Sequence, residues 1–270
     1  MAAHQTDVSN TILSLAEEWA QAGVNKGDVV LLHSDIKRTL KRYLREGRNI
    51  SPNILLESFL SAVGETGTLL LPLFNFDFTR GVPFDIRYTP SQMGALSEAG
   101  RLFPKAVRTG HPIYSFAVIG AQAQRFAGVN NFSGYDKDSP FAILRALNGR
   151  IAVLDLPEQR SMTFYHHVEQ LHEVPYRYHK TFAGEYTDQD GVKGIREYGL
   201  FVRDLVKGVV THVAPAGELM WQEGLYKGFR PFDGPGLRVV SANRMYDFVS
   251  DIISSGRAQD FLYAIHIENL

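Results

Sequence analysis

Apolar positions recur three and four apart near the start of the chain, where Ile12, Leu13, Leu15, Ala16, Trp19 and Ala20 share one face. This spacing predicts an amphipathic helix, N-capped by Ser9 or Asn10 and ended by Gly23. The pattern then changes to short unbroken apolar runs over 28–35, 68–74, 115–120 and 150–156, the mark of strands buried on both faces. Helical stretches over 52–63, 93–103 and 140–147 separate them. The alternation predicts an α/β fold, a three-layer core around a mixed, largely parallel sheet. After Glu173 the chain becomes β-rich: 197–205, 208–214, 236–242 and 261–267 read as strands, with helices over 215–223 and 243–254. No Gly/Ser or Pro linker divides the halves, so 1–270 reads as one domain.

Composition narrows the function classes. The chain has 270 residues, 44% hydrophobic, with net charge -1 and no cysteine. Disulfides, zinc–thiolate sites and a cysteine nucleophile are excluded. A near-neutral chain lacks the basic excess that nucleic-acid backbones demand, so no nucleic-acid partner is expected. The start has no basic stretch followed by an apolar run, and no apolar run approaches ~18 residues. Neither a signal peptide nor a membrane partner is expected, and the cytoplasm is the default location.

The strongest chemical constellation is Thr163, His166 and Glu169, which residue spacing places on one side of a helix just after the 150–156 strand. In open α/β sheets ligands bind outside the carboxyl ends of strands, where such a helix begins. The spacing alone is better explained by a capped helix with surface histidines. A metal site is not expected, because His166 and His167 are adjacent rather than four apart and His111 and His172 add no zinc-type spacing. Lesser candidates are a polar turn at His33, Ser34 and Asp35; Arg108, Thr109 and His111, then Ser115; the helix start at Ser139 and Pro140; and Glu98, which either orients an imidazole or pairs with Arg101.

Taken in order, these motifs form a set: HSD at 33–35, GTLLLP at 67–72, TPSQMGALSEAGR at 89–101, RTGHP at 108–112, DSPF at 138–141, T-x-x-H-x-x-E at 163–169 and VPYR at 174–177. The set resembles the aminoglycoside 3-N-acetyltransferase (antibiotic N-acetyltransferase) family, strongly over 29–177 and by length and layout beyond. The resemblance implies acetyl-CoA or another short acyl-CoA as cosubstrate, and direct transfer to an amine without an acyl-enzyme. It puts the catalytic histidine on His166, its hydroxyl partner on Thr163, and the orienting carboxylate on Glu98, with Glu169 as the alternative. Acyl-CoA contacts fall on His33, Ser34, Asp35, Arg108, Thr109, His111, Ser115 and Ser139. Asp35 stands where the family has a second serine, and Met162 where it has an asparagine.

These residue types suit the reaction. A sugar amine is largely protonated near neutrality and must lose a proton before it attacks a thioester. An imidazole titrating near ~6.5 can take that proton, with a rate benefit of ~10²–10⁴. For the acceptor, the loop over 74–88 offers Phe76, Asp77, Phe78, Arg80, Arg87 and Tyr88. Aromatic faces stack on bases and arginines grip phosphates, so the loop predicts a nucleotide-linked amino sugar, as in surface-glycan biosynthesis. An aminoglycoside, with resistance as the function, is the alternative acceptor. The loop aromatics otherwise pack on the core or form a homodimer contact. The rival from another class is a non-catalytic sugar- or nucleotide-binding protein.

Overall fold

A computed structural model of the chain describes residues 2–161 and 163–266. The elements run α1 (Ala2–Gln21), β1 (Val29–Ser34), α2 (Lys37–Arg45), α3 (Pro52–Val63), β2 (Thr68–Pro72), β3 (Phe84–Asp85), α4 (Ala95–Arg101), β4 (Val107–Arg108), β5 (Phe116–Gly120), α5 (Pro140–Ala146), β6 (Arg150–Leu154) and α6 (Phe164–Leu171). The C-terminal third adds β7 (Arg177–Thr187), β8 (Lys193–Arg203), β9 (Val209–Thr211), α7 (Ala214–Gln222), β10 (Lys227–Gly228), β11 (Leu237–Ser241), α8 (Ala242–Ser254), α9 (Ala258–Phe261) and β12 (Tyr263–Ile265).

Seven strands form the main sheet in the order β10-β11-β6-β1-β2-β5-β4. The sheet is mixed, as the alternation predicts, and parallel at its centre, where β1 pairs with β2 and with β6. β5 and β11 flank this centre antiparallel. Side chains alternate between faces along each strand. Leu31, Leu70, Ile151 and Val153 therefore join a core with Phe141, Phe164 and Phe248 on one side. Val30, Leu32, Leu69 and Ala152 join Trp19, Leu55 and Phe59 on the other. Helices on both faces give the three layers.

Three local expectations change. α1 begins at Ala2, so Ser9 and Asn10 lie inside it; both are exposed, so neither polar side chain has to be buried. The loop over 74–88 contains a 3-10 turn (Asp77–Arg80) and β3, which pairs with Tyr186 and Thr187 of β7 to make a three-stranded sheet with β8. Its aromatics give no period because Phe78 and Phe84 serve this second sheet. The strand read over 261–267 is β12 only, and Ile267 lies outside the described residues. Among the described residues, no helix is long and apolar enough to cross a membrane.

Candidate active site

β6 ends at Leu154, a 3-10 turn at Glu158–Arg160 reverses the chain, and α6 carries His166 inward. The turn is fixed by buried polar chemistry. Glu158 accepts hydrogen bonds from the hydroxyls of Tyr165 (2.9 Å) and Tyr226 (2.8 Å), and pairs with Arg238 of β11 at 3.0 Å. Arg238 also donates to the Leu156 carbonyl and to Ser161 Oγ. The segment leading to Thr163 is thus tied to the sheet at both ends.

His166 is 19% exposed, and its Nδ1 lies 2.8 Å from Glu169 Oε2. Glu169 is buried and forms a second ion pair with Arg177 Nε, also at 2.8 Å. An ionised Glu169 places the proton on Nδ1 and leaves Nε2 as the basic nitrogen. Burial and the Arg177 charge push the His166 pKa down, with Glu169 opposing. Burial raises the Glu169 pKa, but Arg177 and His166 outweigh it and hold the carboxyl below its ordinary value. Thr163 opens the helix, its carbonyl accepting the His166 amide at 3.0 Å. Its side chain makes no capping hydrogen bond.

The carboxylate on His166 is therefore Glu169, not Glu98. Glu98 is held by Arg101, whose Nε lies 2.9 Å and 3.0 Å from its two oxygens, and accepts the Ser91 amide. These charge-assisted contacts at i,i+3 occupy both Glu98 oxygens. Met162 lies outside the described residues.

His166 opens on a chamber of about 330 Å³ whose walls include Phe76, Tyr114, Tyr135, Arg177, Lys180 and Arg203. Tyr135 meets the imidazole edge-on at 5.4 Å. Of the acceptor candidates in the 74–88 loop, Phe76 alone lines this chamber. Phe78 is buried against Tyr198. Arg80 is paired with Asp77, and Arg87 with Asp85 at 2.8 Å, so neither is a free cation. Tyr88 is exposed beside Arg87.

A second chamber of about 470 Å³ opens at the carboxyl end of β1, lined by Ser34, Asp35, Lys37, Gly94 and Arg160. Arg160 precedes Thr163 by three residues, so this wall runs into the start of α6. Other expected acyl-CoA contacts are elsewhere. His33 is buried, edge-on to Phe74 at 6.3 Å; burial first, and Arg238 second, push its pKa down to about 3. Arg108 Nη1 donates to the carbonyls of Ile86 (2.9 Å) and Thr89 (2.7 Å), holding the loop rather than a phosphate. Ser115 is buried and receives Arg108 at 3.3 Å. Thr109 Oγ1 accepts the Phe116 amide, and His111 Nδ1 accepts the amides of Ile113 and Tyr114. Ser139 is a buried N-cap. Arg108, Thr109, His111 and Ser115 each find local partners, whereas His33 Nε2 and Ser139 Oγ are buried without a hydrogen-bond partner among the described residues. Among the described residues, no group of three or more His, Cys, Asp or Glu is placed to hold a metal ion.

Sequence reasoning did not assign Arg177, Tyr135, Lys180 and Arg203 to the site. Arg177 carried a signal, since it ends the VPYR motif; the others sit in strands and loops with no period that points inward.

The family model for aminoglycoside 3-N-acetyltransferases matches residues 31–254. The chain is 30% identical over 191 residues to aminoglycoside N(3)-acetyltransferase VII of Streptomyces paromomycinus, covering 63% of this chain and 64% of that protein. It is 29% identical over 180 residues to aminoglycoside N(3)-acetyltransferase IX of Micromonospora chalcea, covering 59% and 62%. The matched stretch thus spans a little under two thirds of these relatives. Among solved structures, AAC-IIIb in a binary complex with CoASH superposes with a TM-score of 0.77 at 22% identity, covering 91% of this chain and 96% of the other.

Proposed function

The chain belongs to the aminoglycoside 3-N-acetyltransferase family, and from that premise we propose that it is an acyl-CoA-dependent N-acetyltransferase acting on an amine of an amino sugar. The observation that carries this reading is the Glu169–His166 contact at 2.8 Å, which presents Nε2 to the 330 Å³ chamber. The amine gives a proton to Nε2 as its nitrogen bonds to the thioester carbonyl carbon. Collapse of the tetrahedral oxyanion breaks the C–S bond, and the thiolate leaves with the imidazolium proton, passed directly or relayed through the Thr163 hydroxyl. Glu169 fixes the tautomer and offsets the imidazolium charge, as the acid does in hydrolase triads.

The second chamber suits the acyl-CoA. Ser34 offers a hydroxyl, and Lys37 and Arg160 form no salt bridge with a carboxylate among the described residues, which leaves them for phosphates. We take 1–270 to work as one domain, a reading supported by the shared seven-stranded sheet. The nucleotide-linked acceptor rested on Arg80 and Arg87, and both are paired with aspartates. Aminoglycosides, the acceptors in the relatives' names, are therefore the reference class. Acetylation would remove one positive charge from such a drug.

The test is release of free thiol from acetyl-CoA on adding an amino sugar. Release that requires the amine and yields an amide supports the reading. Acetyl-CoA and amine binding with no thiol release would favour a binding protein instead.

A further inference from the structure

The His166 chamber has the wrong charge for a polycation. Its wall carries Arg177, Lys180 and Arg203, and no aspartate or glutamate. Arg177 is balanced by Glu169 just behind it. Lys180 lies over the Phe182 ring, with its nitrogen 5.3 Å from the centroid, and has no carboxylate partner among the described residues. Arg203 has none either, and its field acts on His166. Asp77, next in sequence to the wall residue Phe76, is paired with Arg80. Two cations without a carboxylate partner among the described residues, and the flanking aromatic rings, thus line the chamber onto which His166 opens.

This arrangement does two things. It favours the uncharged forms of both the imidazole and the acceptor amine, which are the forms that react. It also repels any acceptor that carries several further ammonium groups, as aminoglycosides do. We infer that the acceptor of this chain is an amino sugar bearing an anionic group, a carboxylate or phosphate, that pairs with Lys180 and Arg203 while its amine faces His166. The inference rests on the His166 chamber being the acceptor site, and it departs from the reference class named above.

The experiment is kcat/KM at one acetyl-CoA concentration for glucosamine, glucosamine 6-phosphate, an amino uronic acid, a nucleoside-diphosphate amino sugar and gentamicin. At least one anionic acceptor is expected to exceed both glucosamine and gentamicin by about tenfold, the ratio that corresponds to ~1.4 kcal/mol. The three anionic arms separate carboxylate, phosphate monoester and diphosphate as the source of the charge. Higher salt should shrink the preference. Lys180→Glu with Arg203→Glu should lower the ratio of anionic acceptor to glucosamine by about tenfold. Both positions are exposed, and a thermal melt confirms folding; Lys180→Gln with Arg203→Gln, expected to give a smaller drop in the same direction, covers a charge-reversed variant that fails to fold. Gentamicin as the best substrate, or a ratio unmoved by both double variants, overturns the inference while leaving the acetyltransferase reading intact. No thiol release with any amine sinks both.

Discussion

Glu169 Oε2 sits 2.8 Å from His166 Nδ1 and 2.8 Å from Arg177 Nε, so one buried carboxylate orients the imidazole and is itself held by a buried cation. Glu169→Gln should therefore lower kcat by at least ~10-fold, while Glu98→Gln stays within ~3-fold of wild type. Because Glu169 is what raises the His166 pKa, its loss should also move the acid limb of the rate profile to lower pH. A purely structural role would leave that limb in place. The reverse ranking of the two variants would return the role to Glu98.

The pH profile of the wild-type enzyme carries its own sign. The base works when neutral, so kcat/KM, expressed per unprotonated acceptor amine, rises with pH through the His166 pKa. Burial and Arg177 push that pKa below its ordinary value, so the acid limb should fall below ~6.5. Arg203→Gln removes one depressing charge and should shift the limb upward. A limb centred above ~7 in the wild type would contradict this electrostatic picture.

Acid should also unfold the protein through three buried histidines. Burial pushes His33 down to about 3, and His111 and His167 to about 4, against ~6.5 when unfolded. Below pH ~6.5 the unfolded chain takes up protons that the folded chain refuses, so stability is full above that pH and falls as pH drops toward 4. Near pH 5 these three groups contribute close to ~3 protons taken up on unfolding. Denaturant midpoints measured between pH 7 and 5 check this, and a flat profile would contradict it.

The Glu158–Arg238 pair supports the turn before α6 from beneath. Removing one partner leaves the other charge buried, so Glu158→Gln or Arg238→Met should each cost ~3–5 kcal/mol in urea unfolding. The double variant should cost less than the sum, with a coupling of ~0.5–3 kcal/mol. Additive losses would mean that the two residues act independently.

The sheet was legible because β1, β2, β5 and β6 are apolar on both faces, and few other structures tolerate runs such as Val29-Val30-Leu31-Leu32. The T-x-x-H-x-x-E spacing likewise brought His166 and Glu169 together, since a helix fixes i,i+3 neighbours. What was not legible was which partner each charged side chain takes, whether that partner is distant in sequence or close to it. Arg108 read as a phosphate ligand because nothing local shows that the Ile86 and Thr89 carbonyls take its donors. The arginines of the 74–88 loop read as free because their aspartate partners, two and three residues away, also fit a solvated turn. Arg238 did leave a trace, as a lone charge inside the apolar run Leu237–Ser241, and its buried partner Glu158 is 80 residues away.

The measurement that bears most directly on the account is single-turnover acetyl transfer by His166→Ala, together with its acetyl-CoA affinity. The account predicts a rate lower by at least ~10² with acetyl-CoA binding nearly unchanged, because the proposed base is Nε2 and the chamber proposed for the donor opens at the end of β1. Transfer at close to the wild-type rate in that variant would contradict it.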